Sequence, residues 1–177
     1  MHKLKIEEME RLSVEEYKKA KKVPLIVILD NIRSMHNVGS IFRTADAFRI
    51  EMLCLCGITS VPPSVEIHKT ALGAEDSVDW KYFENTLEAF DYCKSRGYLL
   101  MATEQVEGSI KVGDKLPEAE GYAIVLGHEV NGVAQEVVDA CNCALEIPQY
   151  GTKHSLNVSV AAGIVMWWVS EKLEIHN

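Results

Sequence analysis

The chain has 177 residues, 47% of them apolar and 25% charged, enough for one domain that buries roughly 70% of its unfolded surface. Its net charge of −8 excludes a protein that coats nucleic acid through bulk charge, while leaving room for a local basic patch on a phosphate backbone. Residues 1–22 carry charges throughout and no signal-peptide core, and the most apolar run, 158–169, contains Ser159 and Gly163 and falls short of the about 20 residues of a membrane span, so the expected location is the cytoplasm.

The first predicted element is a short helix over RLSVEEYKKAKK, with Ser13 and Glu16 in capping-box spacing and lysines in the last turn. Pro24 ends it. LIVILD (25–30) is a continuous apolar run, the pattern of a strand buried on both faces. NVGSIFRTADAF (37–48) reads as a helix capped by Asn37, with Val38, Ile41, Phe42, Ala45 and Phe48 on its apolar face. MLCLCG (52–57) is a strand, TSVPPS (59–64) a turn-rich loop and EIHKTALGAE (66–75) a short helix. VDWKYF (78–83) alternates like a strand. Asn85 or Thr86 caps a helix that Gly97 closes. YLLMAT (98–103) is a strand, 107–121 a loop, YAIVLG (122–127) a strand, VAQEVVDAC (133–141) a helix and ALEIP (144–148) a strand. A last helix starts at Ser155. Strands and helices alternate throughout, which predicts an α/β domain with a mostly parallel sheet and helices on both faces.

Cys54/Cys56 and Cys141/Cys143 form two C-x-C pairs, with Cys93 alone. The spacing is not that of a usual zinc site, and free cysteine is mostly a buried residue. Core thiols are expected, and no metal.

In such sheets ligands bind outside the carboxyl ends of the strands, where three loops concentrate polar residues. The first holds Arg33, His36 and Asn37 and leads to Arg43, which a cap does not explain. The second is LGHEVNG (126–132), in which Gly127 and Gly132 suggest a tight backbone path and Glu129 lies near a helix start. The third is IPQYGTKHSLNVS (147–159). No dinucleotide or P-loop glycine pattern occurs, which leaves a nucleotide-dependent oxidoreductase, suggested by fold alone, a remote reading.

NVGSIFRTADAF, IVLGHEVNGV and IPQYGTKHSLNVSVAAG, in this order, resemble the three motifs of the SpoU/TrmH family of S-adenosylmethionine-dependent RNA ribose 2′-O-methyltransferases, of the SPOUT class. The resemblance covers residues 24–172 and implies a methyltransferase domain over 24–177 behind an N-terminal helical extension, 1–23. It also implies a C-terminal deep trefoil knot, a homodimer, S-adenosylmethionine as cofactor and tRNA or rRNA as substrate. Thr103, Gly127, Ile147, Ser155 and Leu156 match the family's cofactor-contacting positions. Asn37, Arg43, Glu129, Ser155 and Asn157 match its functional polar positions. Val130 stands where the family often has glycine.

Arg43 is expected to clamp phosphate and the developing alkoxide, because a guanidinium does not readily lose a proton. Arg33, His36, Arg49, Lys69 and Lys153, with the Lys18–Lys22 cluster, are expected to meet RNA. The alternative is a non-catalytic RNA-binding protein on the same fold. Trp167 and Trp168 are assigned either to the core or to a second subunit.

Overall fold

The computed structural model describes residues 1–9 and 11–173; the last residues of the expected domain, 174–177, lie outside the described residues. Seven strands form one sheet: β1 (Val23–Asp30), β2 (Ile50–Cys56), β3 (Trp80–Phe83), β4 (Leu99–Thr103), β5 (Ile110–Lys111), β6 (Tyr122–Leu126) and β7 (Cys143–Glu146). Their order is β3-β2-β1-β6-β4-β7-β5, and every pair is parallel.

Helices cover both faces, which is why β1 reads as one apolar run. Leu25, Val27 and Leu29 pack with residues of α2 (Met35–Ala47), α3 (Val65–Ala71) and α7 (Val158–Lys172). Ile26 and Ile28 face the other way, toward Phe90 and Cys93 of α5 (Thr86–Ser95) and Val137 of α6 (Gln135–Asp139). Gly39 is where α2 meets α3. A Cβ there would fall 2.2 Å from the Ile67 carbonyl oxygen, so only glycine allows this approach.

The predicted first helix is α1 (Val14–Lys19), with both hydrogen bonds of its capping box formed. It docks through Tyr17, which is buried and donates to the Ala45 carbonyl at 3.4 Å. Asn85 caps α5 and Gly97 follows it at φ 78°.

Several boundaries differ from expectation. Ser34 caps α2, accepting from Asn37 N at 3.3 Å, and Asn37 lies inside the first turn. The helix expected over 66–75 is two: α3 ends at Leu72 (φ 53°), and α4 (Ala74–Ser77) follows Gly73. The expected loop 107–121 contributes β5, a two-residue edge strand on β7. α6 is shorter than 133–141, because Ala134 at its start has no side-chain acceptor. α7 begins at Val158, capped by Asn157 rather than started at Ser155.

Cys54, Cys56 and Cys93 are buried. Three strands stand between β2 and β7, roughly 19 Å at about 4.8 Å per strand, so the C-x-C pairs cannot share an ion. Burial pushes the Cys56 and Cys141 thiols up to about 12, which keeps them protonated and inert. Among the described residues no group of three or more His, Cys, Asp or Glu could hold a metal ion, and no helix is long and apolar enough to cross a membrane.

Candidate active site

The strand order reverses around β6, which lies between β1 and β4. Chains diverge there, and the loops leaving β4, β6 and β7 enclose a cavity of about 480 Å³ at the carboxyl edge, where open parallel sheets hold ligands. Thr103, Gly127, Ile147, Ser155 and Leu156 all line it. Thr103 Oγ1 is buried without a hydrogen-bond partner among the described residues, an orphan that calls for explanation. At Gly127 a Cβ would fall 2.2 Å from both Gly132 C and Val133 N, so the wall can fold back on itself only with glycine in place. The lining includes Glu104, Glu129 and Glu146 but, among the described residues, no lysine or arginine.

Beside this cavity Glu129 gathers the loop after β1. Its Oε2 accepts from Arg33 N at 3.0 Å, and its Oε1 from Ser34 N at 2.9 Å and Asn37 Nδ2 at 3.2 Å. Burial pushes the Glu129 carboxyl up, but the N–H groups of Arg33 and Ser34, with Asn37, outweigh that and hold it below the usual carboxylate range. Asn157 Nδ2 donates to Asn37 Oδ1 at 3.2 Å. Asn157 Oδ1 meanwhile caps α7, accepting from Ser159 N at 2.9 Å and Val160 N at 3.4 Å. One chain of hydrogen bonds thus ties the loops of all three motifs together.

Asn37, Glu129 and Asn157 therefore meet, and Ser155 lies in the adjoining wall. Arg43 does not join them. It is exposed and makes no hydrogen bond or ion pair with the described residues. At 100° per residue it shares a stripe of α2 with His36 and Ser40, about 120° from Asn37.

The expected basic residues divide between the two edges of the sheet. Arg33 and Lys153 are exposed on loops of the cavity side. His36 and Lys69 both turn to Glu66, at 3.3 and 2.7 Å. Arg49 lies elsewhere. It precedes β2, and its carbonyl accepts from Val23 N, at the amino ends of the strands. Lys22 is there too, over the Tyr17 ring. Arg49 and the Lys18–Lys22 cluster are thus apart from the cavity, because strand direction puts residues before a parallel strand on the opposite edge from those after it.

Sequence reasoning passed over Glu104. Its Oε2 accepts from Val133 N at 3.2 Å and its Oε1 from Gln105 N at 2.9 Å. The available signal was its place, a carboxylate directly after the buried strand YLLMAT. Gln105 Nε2, next to it, donates to the His154 carbonyl at 2.8 Å and fastens the third loop across the cavity.

Known proteins resemble this chain in sequence and fold. A model of the SpoU rRNA methylase family matches residues 24–167. A 23S rRNA (guanosine-2′-O-)-methyltransferase of Neisseria meningitidis serogroup B is 31% identical over 81% of this chain and 56% of its own. An AdoMet-bound rRNA methyltransferase from Sinorhizobium meliloti is 25% identical, with a TM-score of 0.79 over 88% of this chain and 60% of that one. A TrmH/SpoU tRNA modifying enzyme of A. aeolicus is 28% identical, with a TM-score of 0.77 over 90% of this chain and 79% of that one. The chain spans between 56% and 63% of the length of the curated relatives it matches. The family model over residues 24–167 and a relative 31% identical over 81% of the chain show the family: the chain belongs to the SpoU methylases.

Proposed function

We propose that this protein transfers a methyl group from S-adenosylmethionine to a ribose 2′-hydroxyl of tRNA or rRNA. One observation carries the reading: the Glu129–Asn37–Asn157 chain stands at the edge of a cavity whose wall is anionic. The cofactor, when bound, supplies an electrophilic methyl on a sulfonium cation. Among the described residues, three carboxylates and no lysine or arginine in the lining suit a cation and oppose a phosphate-bearing ligand. The unpartnered Thr103 hydroxyl offers a hydrogen bond inside the same space. Thr103, Gly127, Ile147, Ser155 and Leu156 would hold the cofactor.

The chain's own residues divide the remaining work. Asn37, Glu129 and Asn157 fix the first turns of α2 and α7, which bound the ribose position. Such alignment supplies several kcal/mol of a displacement barrier. Arg43 is a permanent cation with a planar fork. It binds the phosphate of the target nucleotide and steadies negative charge on the 2′-oxygen as its proton leaves. Arg33 and Lys153 meet the RNA backbone near the cavity.

The same reading includes three further features. The segment after β7 is threaded into a deep trefoil knot, supported by the tie of Gln105 to His154 and by the return of α7 to pack with α2 and β1. The protein acts as a homodimer, supported by Val160 and Trp167, which leave 51% and 53% of their surfaces exposed on one stripe of α7. It works in the cytoplasm, as a methyltransferase domain over 24–177 behind an N-terminal helical extension, 1–23, whose Tyr17 packs on the domain. Total cellular RNA incubated with methyl-labelled cofactor, then mapped for alkali-resistant linkages, tests the proposal. No transfer to any RNA would refute it.

A further inference from the structure

Glu104 is placed unlike the other carboxylates of the cavity. Glu129 is committed to the loop before α2, and Glu146 turns to Ser109 Oγ at 2.7 Å. Glu104 stands in the wall itself, next to Thr103 and its unpartnered hydroxyl. Among the described residues its carboxylate accepts from two backbone donors, Val133 N of the loop after β6 and Gln105 N of its own loop. An ionised carboxylate accepts about four, so acceptor capacity remains. No lysine, arginine or histidine pairs with it among the described residues. Gly132, at φ 68°, passes so close that a Cβ would fall 2.3 Å from Glu104 Oε2. The carboxylate thus lies against the main chain of the loop after β6. A half-buried carboxylate without a countercharge is unfavourable until a ligand brings one.

We propose that Glu104 reads the positive charge of the cofactor, so that the site prefers S-adenosylmethionine over its neutral product, S-adenosylhomocysteine. The inference rests on the reading of the cavity as a cofactor site. It gives the enzyme a way to release product, since the transfer itself removes the charge that Glu104 attracts. The two ligands share the nucleoside and the amino-acid end with its ammonium and carboxylate, and differ only in the methyl and the sulfonium charge that it brings, so a carboxylate that reads the sulfonium separates them and one that reads the ammonium does not.

The test is calorimetric binding of each ligand to the full chain, without RNA. In Glu104→Gln the amide oxygen still accepts from Val133 N, while the NH2 cannot accept from Gln105 N, and the melting temperature reads what that lost bond costs the fold. Its affinity for S-adenosylmethionine falls about tenfold, while that for S-adenosylhomocysteine stays within about twofold. Glu104→Asp keeps the charge on a shorter arm and retains the preference even if both affinities drop. Equal weakening toward both ligands in Glu104→Gln would show that Glu104 only holds the wall or a shared hydroxyl, and would overturn the proposal, as would no change toward either. A wild-type chain that binds neither ligand would instead sink the reading of the cavity itself.

Discussion

Asn157 Nδ2 donates to Asn37 Oδ1 at 3.2 Å, across 120 positions of sequence. Asn157 also caps α7, so one side chain both starts the last helix and fixes it to the first turn of α2. Removing it cuts two kinds of interaction. Asn157→Ala loses a cap worth about 1 kcal/mol in addition to the tie. A double-mutant cycle with Asn37→Ala, read by urea denaturation, isolates the tie at about 0.5–1 kcal/mol. Additive losses would show that the two amides act independently.

Glu129 makes stability depend on pH. Its folded carboxyl titrates below the ordinary value of 4.5, since its backbone donors outweigh the burial that pushes it up. A lowered folded pKa adds stability that is present above 4.5 and is lost as pH falls through the folded value. Acid unfolding followed from pH 6 downward therefore includes a component that Glu129→Gln lacks. Parallel curves for the two proteins below pH 4.5 would contradict this.

The neighbourhood of these residues explains what could be read from the sequence. LIVILD was legible as a doubly buried strand because its apolarity is local. Ser34 and Asn37 are both good caps three residues apart, and no local rule selects between them. The choice is made by Glu129, which takes the Asn37 amide from 92 residues away. Ser155 and Asn157 posed the same ambiguity, resolved by Asn37 from the other end of the chain. Glu104 depends on Val133, 29 residues on, and nothing in TEQVEG signals that bond. The insertion of β6 between β1 and β4 is also invisible locally, yet it is what sets the loop after β6 beside the loop after β1 on the carboxyl edge that all the parallel strands share.

Gly127 is a test of the cavity wall. A Cβ would meet main-chain atoms of Gly132 and Val133 at 2.2 Å, and main chain cannot rotate aside as a flexible side chain can. Gly127→Ala costs about 1–3 kcal/mol and closes part of the space. Calorimetry with S-adenosylmethionine would read the loss of binding under the proposed function. Gly151→Ala, whose Cβ would meet nothing within 4 Å, is the control and keeps both properties. Wild-type binding by Gly127→Ala would remove Gly127 from the wall.

Arg43 is exposed and makes no hydrogen bond or ion pair among the described residues, so its substitution should separate chemistry from folding. Arg43→Ala keeps the melting temperature and the affinity for S-adenosylmethionine. Methyl transfer drops by about a hundredfold or more. Arg43→Lys restores little, because a point charge does not reproduce the fork. Near-normal transfer by Arg43→Ala would dismiss the clamp.

Trp167 and Trp168 are adjacent and face opposite environments. Trp168 is 5% exposed and belongs to the core cluster with Val165 and Val169, whereas Trp167 is 53% exposed. The helix is apolar on both sides, yet the protomer covers only one. Trp168→Ala should cost about 3–5 kcal/mol by opening a cavity. Trp167→Glu leaves the protomer fold intact, since about half of that side chain already lies exposed, and puts a charge on the stripe shared with Val160. If a second subunit covers the stripe, sedimentation at micromolar concentration finds the wild-type chain as a dimer and Trp167→Glu as a monomer with unchanged circular dichroism. A wild-type monomer at that concentration would refute the homodimer, and a Trp167→Glu dimer would move the subunit contact away from this stripe of α7.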